Sequence, residues 1–399
     1  MKHLLFFALI LSAFALRAQE DVLTEENFWT QLPIKINSAF GVDKQKLAYS
    51  SSTKTLFITT ATGVISKSYD DGLTWQPTSL NDCLSVFVNN NGVVFAVKKT
   101  TNPYAQMIMY STDNANTWAM LTDTLPLSAI HCMYAYDSTI IVCMEHIHTS
   151  LFRVMRSPDM GVTWDTVLNF NEEWPGDVAP IIRYNDSTLF FGIGCGQIKH
   201  VAGIYRSTDN GQSWSRVTEL CSTSICKNSS GTLFSSTGGT ILKSEDGGST
   251  WNSIPTPDVT WYLAIDKNDY IYAARGNALC PDTTTGVYIS KDNGNTWELN
   301  MSGLTMFGFA SNIYSFDNDY VYLTINSVFR STDKTYPVIT SGDANQDGEA
   351  NMADIAAMVA FILDMPPETF NFPNADINSD GAITLNDIIL LVGLISKGR

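Results

Sequence analysis

Acidic and amide side chains near the C-terminus are spaced as oxygen ligands of a hard cation. Two stretches share one pattern, "DANQDGEANMAD" from residue 343 and "DINSDGAITLND" from residue 376. Ca²⁺ takes roughly six to eight oxygen ligands, and a short loop supplies them from its positions 1, 3, 5, 7 and 12, with glycine at position 6. The sequence therefore predicts two Ca²⁺ sites. The ligands are Asp343, Asn345, Asp347, Glu349 and Asp354 in the first loop and Asp376, Asn378, Asp380, Ala382 and Asp387 in the second, with Glu349 and Ala382 binding through their carbonyl oxygens.

Each predicted loop runs into an apolar segment with helical periodicity, "IAAMVAFIL" in the first copy and "IILLVGLI" in the second. The region 341–399 is too small to be held together well by an apolar core alone. Its clustered carboxylates repel one another until a cation binds. We therefore expect a small all-α domain whose folding depends on calcium.

A second group of acidic residues recurs through the rest of the chain. The octet "STDNGQSW" at 207 has close copies at 68, 111, 157, 244 and 290, and a seventh start at 331 lacks the tryptophan. The aspartate of such a segment accepts backbone N–H groups of its own turn, the glycine takes a positive φ, and the tryptophan packs between sheets. This pattern predicts structural turns. The aspartates are Asp70, Asp113, Asp159, Asp209, Asp246, Asp292 and Asp333.

The octets repeat with a period of about 45 residues, which indicates stacked supersecondary units. Each unit has four short apolar or alternating segments separated by turn residues, with the octet between the third and the fourth. Four-stranded units repeated around an axis form a β-propeller. The seventh unit lacks its fourth segment, and Trp29 in "NFWTQLPI" begins a matching one. The sequence thus predicts an all-β seven-bladed β-propeller with four-stranded blades, closed by both ends of the chain.

Composition and charge exclude several classes of partner. The formal net charge is −16, and no basic cluster is present to displace phosphate counterions, so we expect no binding of nucleic acid. Residues 1–19 contain the apolar run "LLFFALILSAFAL" and predict a secretory signal peptide cleaved near Ala18. No later run is long enough for a membrane span. We expect a secreted protein, either extracellular or associated with the cell surface through a partner.

Seven cysteines in an exported chain permit disulfide bonds but leave one thiol over. With a hairpin turn at residues 137–138, Cys132 and Cys143 lie opposite each other, while Cys221 and Cys226 are close in sequence. Both pairings are hypotheses, and no cysteine is assigned a catalytic role.

The octets resemble the Asp-box, or BNR, repeat with the pattern Ser-x-Asp-x-Gly-x-Thr-Trp, although Ala115 replaces the glycine in the second copy. Such repeats occur in sialidases, xyloglucan-degrading glycosidases, sortilin-type receptors and a plant photosystem assembly factor. The resemblance covers roughly residues 22–338 and implies the propeller fold, whereas activities differ among these proteins.

The region 341–397 resembles a dockerin, the module that binds cohesin domains in polysaccharide-degrading assemblies. That resemblance implies a cohesin-like partner, read at loop positions 10 and 11. These positions often hold Ser-Thr in dockerins, but here they hold Met352, Ala353, Leu385 and Asn386, which are the candidate partner-binding residues. A calcium-stiffened cap without a partner is the alternative. The predicted domains are the signal peptide at 1–19, the propeller at 20–338 and the dockerin at 339–399.

The face of the propeller opposite the octets carries the candidate ligand residues. Strand alternation places the links after the second and fourth strands there, and "NFNEEWPGDV" is the longest acidic and aromatic link. Carboxylates beside aromatic rings suit sugars. The candidates are Glu172, Glu173, Trp174 and Asp177 in that link, and Trp261, Tyr262 and Phe307 at other inner strands.

Three functions are open for the propeller. A sialidase uses three arginines and typically an Arg-Ile-Pro sequence, which this chain lacks. Another glycoside hydrolase, similar to xyloglucanases, needs two facing carboxylates. A propeller that binds a glycan, a polysaccharide or a protein needs neither feature. We favour this binding function, with a glycoside hydrolase as the alternative.

Overall fold

The structure is a computed structural model, and its described part falls into two regions. In the propeller region it describes residues 27–36, 45–100, 106–121, 128–146, 151–170, 178–194, 201–237, 239–256, 260–275, 286–304, 310–325 and 327–332. Near the C-terminus it describes residues 342–345, 350–363, 365, 367, 370–378 and 381–397. The predicted signal peptide lies outside the described residues and stays a prediction.

Seven antiparallel sheets of four strands each form the propeller. In six blades, four strands that are consecutive in the sequence lie side by side. Blades 1 to 3 contain β2 (Leu47–Ser50), β3 (Thr55–Thr59), β4 (Ile65–Ser68) and β5 (Gln76–Pro77); β6 (Cys83–Val88), β7 (Val94–Lys99), β8 (Gln106–Ser111) and β9 (Ala119–Met120); β10 (Ser128–Tyr136), β11 (Thr139–His146), β12 (Phe152–Ser157) and β13 (Asp165–Asn169). Blades 4 to 6 contain β14 (Ile182–Arg183), β15 (Leu189–Ile193), β16 (Gly203–Ser207) and β17 (Ser215–Thr218); β18 (Ser224–Lys227), β19 (Leu233–Ser236), β20 (Ile241–Ser244) and β21 (Asn252–Ile254); β22 (Thr260–Ile265), β23 (Ile271–Arg275), β24 (Val287–Ser290) and β25 (Glu298–Asn300).

The seventh blade joins the two ends of the propeller. It combines β26 (Asn312–Ser315), β27 (Val321–Thr324) and β28 (Ser327–Ser331) with the N-terminal strand β1 (Trp29–Lys35). Strand β1 pairs antiparallel with β28, and Trp29 lies opposite Ser331. The predicted seven four-stranded blades and the closure by both ends are therefore confirmed.

Each pair of neighbouring blades shares an apolar cluster. Between blades 1 and 2, Phe57 packs with Val86 and Val94, and the octet tryptophan Trp118 packs against this cluster. The octet tryptophans of the other blades pack in the same way against the preceding blade, namely Trp75, Trp164, Trp214, Trp251 and Trp297. Trp29 takes this place between blades 6 and 7. The N-terminal strand therefore supplies the tryptophan that the seventh octet lacks.

The C-terminal region is helical, as predicted. It contains α1 (Met352–Ile362), the short α2 (Phe372–Ala375) and α3 (Leu385–Lys397). Asn351 caps α1 and forms a capping box with Asp354. Met358 and Leu391 pack in a common core. Among the described residues, no helix has the length and apolar character that crossing a bilayer requires.

The cysteines agree only in part with the hypotheses. Cys132 and Cys143 are opposite each other on β10 and β11, as the turn at 137–138 predicts, but both thiols are free. Burial raises the pKa of the Cys143 thiol well above its usual range. The pairing of Cys221 with Cys226 is wrong, because Cys221 is disulfide-bonded while Cys226 is free. The extended backbone of β18 carries Cys226 away from Cys221, at about 3.3 Å per residue.

Candidate functional site

The described octets are closed, hydrogen-bonded turns. In the fourth, the Asp209 carboxylate accepts the Ser207 hydroxyl at 2.7 Å, the Ser213 N–H at 2.9 Å and the Ser213 hydroxyl at 2.6 Å. The Ser207 hydroxyl oxygen accepts the Gly211 N–H at 2.8 Å. The same bonds to the carboxylate recur at Asp70, Asp113, Asp159, Asp246 and Asp292. Asp333 lies outside the described residues.

These hydrogen bonds keep the octet carboxylates ionised. The N–H and hydroxyl of Thr117 lower the pKa of Asp113 to about 2. At Asp209 burial acts in the opposite direction, but the bonds from Ser213 outweigh it, so the pKa of Asp209 is lowered as well. A carboxylate that is ionised and bonded within its own turn is suited to bracing the turn and is a poor general acid.

Neighbouring blades are connected by three basic side chains that directly precede octets, those of Lys67, Arg156 and Arg330. In each case the acceptor is the carbonyl oxygen of the residue after the octet aspartate of the next blade, and this residue has a left-handed backbone. The pairs are Lys67 with Asn114, Arg156 with Asn210, and Arg330 with Asp71, at 3.0, 2.9 and 3.1 Å. These cations are thus engaged in the fold, unlike the arginines with which a sialidase binds a substrate carboxylate.

Replacing one octet aspartate will destabilise the propeller. We expect Asp209→Ala to lower the free energy of unfolding by ~1–3 kcal/mol, because the Ser213 N–H and hydroxyl lose their acceptor. Urea unfolding measures the loss. As a control, Asp186→Ala removes an exposed carboxylate that pairs with Arg183, and should change stability by less than ~1 kcal/mol. An Asp209→Ala variant as stable as the parent but deficient in ligand binding would show that the octets are functional.

Acid will weaken the propeller in a defined pH window. The octet carboxylates have lowered pKa values in the folded state, about 2 at Asp113, Asp246 and Asp292. Their contribution to stability is therefore present above the unfolded pKa of about 3.9 and is lost as the pH falls from there towards about 2. Urea unfolding measured stepwise across this window tests the expectation. Stability that stays constant as the pH falls through it would contradict the role of these bonds.

The candidate ligand face is only partly within the described residues. Glu172, Glu173, Trp174, Asp177 and Phe307 lie outside them, so their grouping stays a prediction. Tyr262 is half-buried and packs against the cluster between blades 6 and 7. Trp261 is the extra residue of a β-bulge in the inner strand β22, and its side chain is not described.

The sequence did not single out an imidazole–carboxylate pair in blade 3. His131 Nε2 lies 3.5 Å from Glu145 Oε2, on the adjacent strands β10 and β11. His131 is the extra residue of a β-bulge between Ile130 and Cys132, and bulges re-aim side chains. The charged Glu145 in the apolar run "IIVCME" was the available signal. The His131 side chain is only 3 % exposed and packs beside the ring of Phe152, so the pair belongs to the interior.

The last carboxylate of the first predicted calcium loop accepts two backbone N–H groups of the same loop. Asp354 is fully buried, and its two oxygens accept the N–H groups of Asn345 at 3.0 Å and Asn351 at 2.8 Å. Asp343, at loop position 1, is also buried. Buried carboxylates are costly unless they are paired with a cation or hydrogen-bonded, so this donor set fits Ca²⁺.

The second loop repeats this arrangement. One Asp387 oxygen accepts the N–H groups of Ile377 and Asn378 at 3.0 and 3.2 Å, and the other accepts the Thr384 N–H at 2.9 Å. Asp376 accepts the Gly381 N–H at 2.8 Å. Asp347, Glu349 and Asp380 lie outside the described residues, and within those residues no three acidic, histidine or cysteine side chains come together as a metal site. Ala382 is described, in the turn after Gly381.

The candidate partner-binding residues are all exposed. Met352 and Leu385 have exposed fractions of 68 % and 67 %, and Ala353 and Asn386 lie beside them. Each helix continues the apolar surface at a spacing of one and two turns. We call these surfaces the α1 stripe (Met352, Ala356, Val359) and the α3 stripe (Leu385, Ile389, Val392). The two stripes occupy equivalent positions of the two repeats.

Fold and site together define a propeller of Asp-box repeats followed by a dockerin. The model of the DUF6242 beta propeller domain matches residues 11–223, and the chain belongs to that family. The model of sortilin and neurotensin receptor 3 matches residues 202–364, and the model of the dockerin type I domain matches residues 341–395. Dockerin type I domains bind calcium through oxygen ligands.

Solved structures with similar folds have diverse functions. YCF48 bound to D1 peptide is 18 % identical with a TM-score of 0.55, covering 77 % of this chain and 98 % of that one. The GH74 enzyme of Niastella koreensis is 14 % identical with a TM-score of 0.59, covering 77 % and 54 %. The GH74 xyloglucanase of Xanthomonas campestris is 14 % identical with a TM-score of 0.58, covering 75 % and 52 %. This chain thus spans about half the length of the GH74 proteins. No curated protein matches it.

Proposed function

We propose that this protein is a secreted bacterial binding module that docks to a cohesin-bearing, polysaccharide-degrading assembly. The signal peptide comprises residues 1–19, the propeller 20–338 and the dockerin 339–399. Two Ca²⁺ ions occupy the two loops, and the propeller binds a glycan or a protein. The protein is extracellular or held at the cell surface through its partner.

The observation that carries this proposal is the pair of equivalent exposed stripes that begin in the last positions of the two calcium loops and continue along α1 and α3. Met352 and Leu385 are about two-thirds exposed although both are large and apolar. Exposed apolar patches of this kind on a small domain mark interaction surfaces. Because loop positions 10 and 11 lack Ser-Thr, the partner is recognised through apolar packing at these positions.

The binding role of the propeller is supported by the use of its charged groups. The described octet carboxylates are bonded within their own turns, and Arg156 and Arg330 connect blades. YCF48, which has a similar fold, is bound to a peptide, and this supports a binding role for the propeller. The xyloglucanase of Xanthomonas campestris keeps a glycoside hydrolase as the alternative.

Capture from secreted and surface proteins of the producing bacterium tests the docking. The immobilised full chain should retain a cohesin-like protein in calcium and release it in a chelator. The double variant Met352→Glu with Leu385→Glu tests the interface. It should still bind calcium but lose the partner, because a charge cannot be buried in an apolar interface. If no cohesin-like protein is captured in calcium, the C-terminal domain is a calcium-stiffened cap without a partner.

Incubation of the full chain with plant and host glycans tests the propeller. Retention of a glycan without product supports a binding module. Clean turnover of any glycan would establish a glycoside hydrolase instead.

A further inference from the structure

Two cysteines face each other in the hairpin of blade 3. Strands β10 and β11 pair antiparallel, and Cys132 lies directly opposite Cys143. Residues directly opposite in such a pair have Cα atoms about 4.5 or 5.5 Å apart, and a disulfide spans about 4.4–6.8 Å between Cα atoms. The two thiols are also hydrogen-bonded to each other. The backbone therefore already holds both cysteines at a separation that a disulfide can bridge.

The other free cysteines have no such neighbour across the strand. Cys83 lies opposite a lysine, and Cys226 lies opposite a phenylalanine. Within the part of the chain that the structure describes, Cys132 and Cys143 are therefore the only free thiols that strand pairing brings together.

The facing thiols lie inside the apolar cluster between blades 3 and 4. Cys143 is fully buried and Cys132 is 5 % exposed, in a cluster that includes Phe152 and Phe191. Burial raises the pKa of the Cys143 thiol well above its usual range, and the hydrogen bond with Cys132 adds to this. Because the thiolate is the reactive form, such thiols react slowly once the blades have packed. Reaction with an oxidant therefore belongs to the stage of folding before this cluster closes.

We propose that Cys132 and Cys143 form a disulfide while the exported chain folds, and that this bond joins β10 to β11 inside the packed propeller. Disulfides form in the periplasm and outside the cell, where disulfide-bearing oxidants are present. The structure, in which both thiols are free, corresponds to the reduced form of the pair. The bond requires neither a ligand of the propeller nor calcium, so the inference stands separately from the proposed function.

The reaction is a thiol–disulfide exchange in two steps. The Cys132 thiolate attacks the disulfide of the oxidant, forms a mixed disulfide and releases one thiol of the oxidant. The Cys143 thiolate then attacks the Cys132 sulfur and displaces the second thiol. The two cysteines lose two electrons and two protons in total. The electrons reduce the disulfide of the oxidant, and the protons are taken up by its two released thiols.

Fragment mapping of the full chain tests the bond directly. The chain is refolded with oxidised glutathione, and the remaining thiols are alkylated. Cleavage before Asp137 then separates the segment that contains Cys132 from the segment that contains Cys143. We expect the two fragments to stay joined without a reductant and to separate after reduction. Fragments that separate without a reductant, or that are joined to a segment with another cysteine, would overturn the proposal.

Thermal unfolding of oxidised and reduced protein measures the contribution of the bond. The disulfide of Cys221 adds to the same comparison, so the effect is read from the difference between variants. In Cys143→Ala, the rise in melting temperature on oxidation should be about 3–6 °C smaller than in the parent, because the unfolded chain loses one cross-link.

Cys226→Ala is the matched control, because it removes a free cysteine that faces no other cysteine. This variant should keep the full rise in melting temperature on oxidation. An equal rise in Cys143→Ala and in the parent would contradict the bond. Fragment mapping uses the unaltered chain, so it decides the question even if Cys143→Ala does not fold.

Discussion

Removal of calcium will unfold the C-terminal domain while the propeller stays folded. We expect a chelator, or Asp343→Ala together with Asp376→Ala, to abolish the helical signal of α1 and α3. Each predicted loop carries several carboxylates within twelve residues, and without a cation their mutual repulsion opposes folding. Each ion that binds only the native state adds about 4 kcal/mol when free calcium exceeds Kd a thousandfold. For a domain with so small a core, this loss exceeds the expected stability.

Differential scanning calorimetry with and without calcium measures this effect. The transition of the C-terminal domain should disappear in the chelator, and partner capture should be lost with it. The control Asp186→Ala removes an exposed carboxylate of the propeller and should leave both transitions unchanged. A double variant that still binds calcium and keeps its helices would contradict the ligand assignment.

Opening the seventh blade will destabilise the entire propeller. Trp29 is 1 % exposed and packs in the cluster between blades 6 and 7. Its backbone N–H donates to the Ser302 carbonyl oxygen at 2.9 Å, and the Thr332 backbone N–H donates to the Phe28 carbonyl oxygen at 2.7 Å. We expect Trp29→Ala to cost ~3–5 kcal/mol through the cavity that it leaves. Deletion of residues 22–34 should cost more, because β28 loses its partner strand.

Thermal unfolding of the propeller transition checks this expectation. Lys35→Ala, on the same strand, is a matched control because Lys35 is exposed, and we expect a change within ~0.5 kcal/mol. If the deletion variant keeps the melting temperature of the parent, the N-terminal strand does not close the ring.

Much of the propeller fold could be predicted from the sequence because the residues that form each turn are close together in the chain. The bonds of Asp209 reach only from Ser207 to Ser213, so the residue types of one octet suffice to predict the turn. The same holds for the calcium loops, where Asp387 bonds within its own loop. The role of Trp29 is a distant contact, but it was predictable because the seventh octet lacks one strand and one tryptophan.

The candidate ligand face could be predicted only in part from the sequence. Alternation along a strand indicates which end of a blade a link occupies, but it does not describe how the side chains of several links are grouped. Tyr262 illustrates the difference, since its ring is used in packing between blades. The β-bulge at His131 also depends on pairing with the neighbouring strand, so no local residue pattern predicts it.

The sequence by itself determined the number of blades, the octet turns and the closure at Trp29, whereas the calcium ligand set stays a prediction. Only the tertiary structure decided that Arg330 holds blade 7 to Asp71 of blade 1, that Cys221 and Cys226 are not bonded to each other, and that Asn374 of α2 bonds to the backbone of Asp343. The physical reason is the span of the interactions. Turns and metal loops are closed by neighbours in the chain, whereas contacts between blades or repeats join residues whose separation in sequence carries no sign of their proximity.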